Sequence, residues 1–236
     1  LMKTESPKIH IGEHGWVKLY DHYPNQLDSA DMEIVAAART SYAGDMKGPE
    51  KDLKLLEYLI QHRHDSPLEM VDVEFTVKAP LVVWWQWTRH RTFSYNFQSG
   101  RYTPFDENET LVPLPEEWRK QDHKNRQGSD GYVDVKMGQF FTQHLADLHN
   151  ECFRLYEELL DAGVAREQAR LCLPGFAVFY QARVKANLRN WLHFISLRTD
   201  PHAQLEIRRY ARVIKQQLTT IAPYTIKFYE QHRKSQ

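Results

Sequence analysis

An α+β fold, with a central mixed or antiparallel sheet flanked by long helices in a single domain, follows from three observations. Apolar residues recur at helical spacing over most of the chain, only two runs alternate with the period of two that marks a strand, and no regular strand-helix-strand repeat connects them. The 236 residues suit one domain, residues 1–236, long enough to bury a hydrophobic core without disulfide or metal support.

The first helix is predicted from Asp28, Ser29 and Asp31, which offer caps, and from Met32, Val35 and Ala36 at helical spacing, with an end near Arg39. The polar turn RTSY follows. A second helix starts after Pro49, carries Leu53, Leu56, Leu59 and Ile60, and ends in the histidine-rich run QHRHDSP, where Pro67 stops it. Val71, Val73, Phe75 and Val77 then alternate with Asp72, Glu74, Thr76 and Lys78, the pattern of a half-buried strand. Pro80 suits the first position of a helix, LVVWWQWTRHR, that delivers Arg89, His90 and Arg91 at its C-terminal end. An irregular loop is expected beyond it.

From Thr103 to Gly131, prolines, charges and the NRQGSDG cluster describe a surface excursion or flap, the expected mobile part. A long helix over 135–161 carries Phe140, Phe141, Leu145, Leu148, Phe153, Tyr156 and Leu160, with Gly163 placed to end it. After the short helix REQARLCL and Pro174, alternation from Phe176 to Val184 predicts a second strand. The helix NLRNWLHFISLR and another from Ala203 to about Ile221 complete the reading.

Acidic and basic side chains balance at 31 each, so no global positive field draws nucleic acid or anionic lipid. Any anion site is local. Cys152 and Cys172 lack a CxxC partner and read as reduced core thiols of a cytosolic protein. No apolar run approaches the ~18 residues of a membrane span, and the N-terminal stretch lacks the zones of a signal peptide. A cytoplasmic location is expected. His62, His64, His193 and His202 show no ligand spacing such as HExxH, so no metal is expected.

The stretch RHRTFSYNFQSGRYT, from Arg89 to Thr103, crowds arginines, hydroxyl residues and aromatics together. Arginine forks bind phosphate or carboxylate bidentately, and Ser or Gly lets backbone N–H groups close on a phosphate, so SGR after RHR forms a candidate nucleotide cradle. The alternative is a surface loop whose arginines pair with nearby acids. Arg170, Asn187, Arg189, His193 and Arg198 form a second polar set that does not fall on one clean helical stripe. They either surround a ligand from several sides or pave a solvated face.

Arg89, His90 and Arg91 followed after seven residues by Ser99 resemble the signature of flavin-dependent thymidylate synthases, as do Ser94, Asn96, Gly100, Arg101 and Tyr102 around them. ARTSY at 38–42, HDSPLE at 64–69, QWTR at 86–89, REQARLCLP at 166–174, NLRNWLHF at 187–194 and LRTDPHAQLEI at 197–207 are similar to that family in the same order. The resemblance implies FAD-dependent reductive methylation of dUMP to dTMP, with methylenetetrahydrofolate as carbon donor and NADPH as reductant. It also implies a homotetramer with active sites at subunit junctions. Uracil C5 is a poor nucleophile, and hydride from a reduced flavin removes the need for an enzyme cysteine. By position, Ser41, Ser66, Glu69, Arg89, His90, Arg91, Asn187, Arg189 and His193 resemble the flavin-binding set, and Gln86, Arg89, Ser99, Gly100, Arg101, Arg170 and Arg198 the dUMP-binding set. Arg198 is similar to the arginine that activates the pyrimidine, an electrostatic role that suits a permanently charged group. Ser99 has no paired base in the sequence and is expected to bind rather than attack.

One position departs from the resemblance. Phe97 and Gln98 stand where the family has Glu or Gln followed by an apolar residue, and phenylalanine cannot bond a sugar hydroxyl. A same-fold enzyme acting at C5 of another pyrimidine nucleotide is therefore a competing expectation. A nucleic-acid-binding module that uses the Arg-aromatic loop is another, with zero net charge against it.

Overall fold

The computed structural model describes residues 6–25, 29–106 and 109–233. In chain order the elements are β1 (Ile9–Ile11), β2 (Gly15–Tyr23), α1 (Ser29–Thr40), α2 (Pro49–Gln61), β3 (Asp72–Pro80), α3 (Leu81–Trp87) and β4 (Ser94–Phe97). They continue with β5 (Arg119–Gln121), β6 (Ser129–Tyr132), α4 (Val135–Asp161), α5 (Arg166–Ala169), β7 (Phe179–Asn187), α6 (Leu188–Arg198), α7 (Leu205–Ile221) and α8 (Pro223–Arg233). Five strands form one sheet in the order β1-β2-β3-β7-β4, with every pairing antiparallel. The expected α+β class holds, and the sheet is antiparallel rather than mixed.

The centre of the sheet is the β3–β7 ladder, in register from Asp72 opposite Asn187 to Pro80 opposite Phe179. Val73, Phe75, Val77 and Ala79 on β3, and Ala182, Val184 and Ala186 on β7, are buried, as period-two patterning requires. Their common face packs in one core with Ile34, Leu56, Trp84, Trp87, Trp191, Ile207 and Ile214 from the helices. Two tryptophans also satisfy their indole N–H groups on the sheet backbone, Trp191 donating to Val73 O at 3.0 Å and Trp84 to Tyr180 O at 2.9 Å. Buried rings of this kind each contribute on the order of 3–5 kcal/mol.

Several boundaries differ from the sequence expectation. The second strand runs Phe179–Asn187 rather than Phe176–Val184, because Ala177 N–H turns back to Pro174 O and ladder pairing begins only at Phe179 opposite Pro80. The helix expected to reach Arg91 stops at Trp87. Tyr95 Oη donates to the carbonyls of Trp87 and His90, both at 3.0 Å, and so satisfies acceptors at the helix exit. Part of the loop expected beyond it is β4, whose Tyr95 and Phe97 face Val184 and Ala182 on β7. The β1–β2 hairpin, the β5–β6 ribbon and α8 carried no expectation.

Asp28 lies outside the described residues. Asp31, in the first turn of α1, also reaches α8: its buried carboxylate accepts from the backbone N–H of Tyr224 and Thr225 at 2.9 Å each, and from Thr225 Oγ1 at 2.6 Å. It ties the start of α8 to α1. The excursion after Thr103 is fastened to the body at several points. Phe105 is buried with Phe153, Tyr156, Ala169 and Val178 in a second, smaller core beneath α4. Leu111 N–H donates to Ala177 O, Trp118 Nε1 donates to Thr142 Oγ1, and Arg119 pairs with Glu206.

Candidate active site

The early end of α3 leaves Gln86 and His90 facing the last turn of α6, where Arg198 sits. Arg198 Nε donates to His90 Nε2 at 3.0 Å, Nη1 to Gln86 Oε1 at 3.3 Å and Nη2 to the main-chain carbonyl of Gln86 at 3.1 Å. A donor from Arg198 to His90 Nε2 requires a lone pair there, so the imidazole is neutral with its proton on Nδ1. His90 is 7% exposed. Burial first, then the charges of Arg198 and His193, push its pKa down to about 4. Arg198 is pushed down from its ordinary value by burial and by the nearby Arg89, and remains a cation at neutral pH.

A cavity of about 500 Å³ lies beside this cluster, lined by Arg63, Asp65, Leu68, Thr92, Arg189, Asn190, Leu192, His193 and Tyr229. Its volume falls in the range of cofactor sites. The His193 and His90 rings stand 5.9 Å apart, which places the cavity against the Arg198 group. Glu69 pairs with Arg189 at the rim. The donor set of two guanidiniums, an amide and an imidazole fits a ligand bearing phosphate and sugar oxygens.

The serine-glycine-arginine turn is a separate assembly. Ser99 Oγ accepts from Arg101 N–H at 3.3 Å, and the carbonyl of Ser99 accepts from Tyr102 and Thr103. No histidine or lysine is bonded to Ser99 among the described residues. Gly100 is buried, and a Cβ there would lie 2.7 Å from Phe105 Cζ, so glycine at this position first serves packing. Arg166 Nη1 donates to the carbonyl of Tyr102 at 2.7 Å, which ties the turn to α5 and to the neighbouring Arg170. The Arg170 guanidinium has no hydrogen bond or ion pair among the described residues, while its backbone N–H donates to Arg166 O and its carbonyl accepts from Leu173 N–H. No polar or ring contact among the described residues joins the group Ser99, Gly100, Arg101 and Arg170 to the group Gln86, His90, His193 and Arg198.

Comparison with known proteins gives this geometry a context. A family model described as thymidylate synthase complementing protein matches residues 19–224. A flavin-dependent thymidylate synthase of Thermus thermophilus is 39% identical over 224 residues, covering 95% of this chain and 78% of the relative. That of Thermotoga neapolitana is 36% identical over 222 residues, covering 94% of each chain. This chain belongs to the flavin-dependent thymidylate synthase family. A solved structure of a UMP/dUMP methylase, PolB from Streptomyces cacaoi bound with 5-Br dUMP, is similar at a TM-score of 0.81 and 29% identity, covering 96% of this chain and 99% of that one. Membership makes the chain an enzyme, a methyltransferase, and sets aside the nucleic-acid-binding module.

Within this thymidylate synthase fold the predicted residues divide. Arg189 and His193 line the cavity, Glu69 reaches it through Arg189, and His90, Gln86 and Arg198 form the cluster beside it. Arg89 and Arg91 are exposed on the turn that follows α3. Asn187 caps α6, its side chain accepting from Asn190 N–H at 3.0 Å. Ser41, on the turn after α1, and Ser66, opening a 3-10 turn, are exposed and line none of the cavity. Sequence reasoning passed over Arg63, Thr92, Asn190 and Tyr229. The sequence signal for Arg63 is its place inside the histidine-rich run; in the structure it takes φ +58°, a conformation rare for a side-chain-bearing residue. Trp84 and Trp87 are buried as core rings, whereas Trp85 is exposed.

Proposed function

We propose that this chain converts dUMP to dTMP by FAD-dependent reductive methylation at C5, with 5,10-methylenetetrahydrofolate as carbon donor and NADPH as reductant. The observation that carries the reading is the Arg198 cluster. Three N–H groups of the guanidinium are held by His90 and Gln86, which leaves one on each terminal nitrogen to meet the polar edge of a pyrimidine. Fixed, desolvated positive charge at that edge stabilises the anionic ring that forms when C5 becomes nucleophilic.

FAD, when bound, supplies the hydride. Arg189, His193, Asn190 and Arg63, which line the cavity, would hold its phosphates and sugars, with Glu69 paired to Arg189. Arg89, Arg101, Arg170, Ser99 and Gly100 supply the charge and close approach for the nucleotide phosphate, and Ser99 binds without acting as nucleophile. Cys172 donates to backbone carbonyls, and burial pushes its thiol up from the ordinary value, which speaks against a thiolate attacker. The reading includes a single domain and a cytoplasmic location; no described helix is long and apolar enough to cross a membrane.

A homotetramer with sites at subunit junctions belongs to the same reading. The two polar groups do not meet within one chain, and Trp85, Leu171 and Phe176 expose apolar surface near them. Light scattering at micromolar concentration tests it: a mass near that of four chains is expected, and a monomer would refute it.

The catalytic test is anaerobic. The flavin of the purified protein is reduced, methylenetetrahydrofolate and dUMP are added, and reoxidation is followed by absorbance while dTMP is assayed. Coupled reoxidation and dTMP formation are expected; reoxidation without dTMP refutes the substrate assignment. A second reading, activity on UMP, has its own support, since PolB bound with 5-Br UMP is also similar, at a TM-score of 0.77. Phe97 is partly exposed where a sugar-bonding residue is expected. Turnover of dUMP, UMP and dCMP under identical conditions separates the two readings.

A further inference from the structure

Cys152 on α4 and Cys172 on the 3-10 turn Arg170–Cys172 are the only cysteines, and twenty positions separate them. Their sequence settings suggest independent core thiols. The fold brings them together. Cys172 Sγ donates to the main-chain carbonyl of Cys152 at 3.5 Å and to that of Ala169 at 3.1 Å. A carbonyl oxygen lies within ~2.5 Å of its own Cα by standard backbone dimensions, so the sulfur of one cysteine sits within roughly 6 Å of the Cα of the other. That bounds the Cα–Cα separation at roughly 9 Å, against the roughly 4.4–6.8 Å of a disulfide, so closure takes rotation of both side chains and a small approach of the 3-10 turn to α4. Neither residue is fully buried, so a small oxidant can reach them.

We propose that Cys152 and Cys172 form a reversible intramolecular disulfide under peroxide. Cys152 Sγ attacks the peroxide, breaking the O–O bond and releasing water as Cys152 becomes a sulfenic acid. The second thiol attacks the sulfenic sulfur; the S–O bond breaks, a second water leaves and the S–S bond forms. Two thiols lose two electrons in total, and one hydrogen peroxide becomes two waters. Thiol reductants reverse the step by exchange. Such transient disulfides are the type found in reducing compartments. The bridge would staple α4 to the turn that carries Arg170, the unpaired arginine of the phosphate-binding group, and so gives that turn an oxidation-dependent restraint.

The test uses the full chain with its cofactor as purified. After peroxide and quenching, the unfolded protein is titrated for thiols and its proteolytic peptides are mapped without reduction. The expected result is loss of both free thiols, a mass decrease of about 2 Da for one disulfide, a linked peptide pair containing Cys152 and Cys172, and full recovery with dithiothreitol. Cys152→Ser and Cys172→Ser should each abolish the linked pair, and the surviving thiol should stop at the sulfenic stage or beyond. Two thiols that persist in the wild type, or that oxidise separately to sulfinic acids with no linked peptide, would overturn the proposal, as would links formed only between chains.

Discussion

The neutral state of His90 sets a measurable pH dependence of stability. Its pKa lies at about 4 in the folded chain against an ordinary 6.5. Between those values the unfolded chain binds a proton that the folded chain refuses, so stability rises with pH across the window, at about 1.4 kcal/mol per pH unit where one full proton is involved. The contribution is complete above about pH 6.5, falls as the pH drops, and is exhausted below about pH 4. Over the whole window it amounts to about 3 kcal/mol, and between about pH 7.5 and 4.5 to about 2.5 kcal/mol.

The comparison partner is His90→Gln, which keeps an acceptor for Arg198 Nε and cannot titrate. Urea unfolding of both proteins at about pH 7.5 and about pH 4.5 isolates the His90 contribution, because carboxylates and the other buried histidine, His149, titrate in both and cancel. The wild type should lose about 2.5 kcal/mol more than the variant. Histidine-selective NMR gives a direct check, with His90 expected to stay neutral well below pH 6. Equal acid losses in the two proteins, or an imidazole that titrates near 6.5, would refute the buried, Arg198-bonded histidine.

Four further outcomes are expected. Gly100→Ala places a methyl group against the Phe105 ring and should cost about 1–3 kcal/mol in urea unfolding; an unchanged midpoint would mean the ring moves freely. Asp31→Ala removes the carboxylate that accepts from Tyr224 and Thr225 and should cost roughly 3 kcal/mol, read from denaturant unfolding, with a loss below experimental error counting against the α8 tie. Arg198→Ala should abolish most dTMP formation while the protein still purifies with flavin absorbance, and near-normal turnover would remove Arg198 from the chemistry. Phe97→Glu should change nucleotide affinity by calorimetry; identical affinity would place position 97 out of reach of the ligand.

What the sequence disclosed follows the physics of pattern length. α4, with its long helical stripe, and β3, with its clean alternation, were legible because burial is one-sided in both. β4 was not, because four residues of which only Tyr95 is partly buried carry too little periodicity beside three arginines. The long-range role of Asp31 was hidden for another reason: next to the start of α1 it reads as a local cap, and nothing in the sequence points to its partners near position 224. Arg63, Thr92 and Asn190 were missed because a cavity is a property of surfaces brought together by the fold. Chemistry-bearing residues in SGR and RHR stood out by composition, yet composition could not reveal that they reside in two groups without a joining contact.

The end of α3 shows how a departure from helical expectation builds the site. Had the helix continued to Arg91, the N–H of His90 would cap the carbonyl of Gln86 in the regular i to i+4 ladder. Instead His90 N–H turns back to Trp87 O, and Tyr95 Oη takes the carbonyls of Trp87 and His90. Gln86 O is left open, and Arg198 Nη2 fills it. The guanidinium thereby lies at the C-terminal end of α3 while belonging to the last turn of α6, and the negative ends of two helix dipoles converge on one cation. That convergence offsets repulsion from Arg89 and the cost of burial. It also fixes the plane of the fork through neutral His90 and both oxygens of Gln86, which a lysine point charge could not use. The same early exit drops Arg89 and Arg91 onto an exposed turn, so a single shortened helix separates the arginine held by three hydrogen bonds from the two exposed ones.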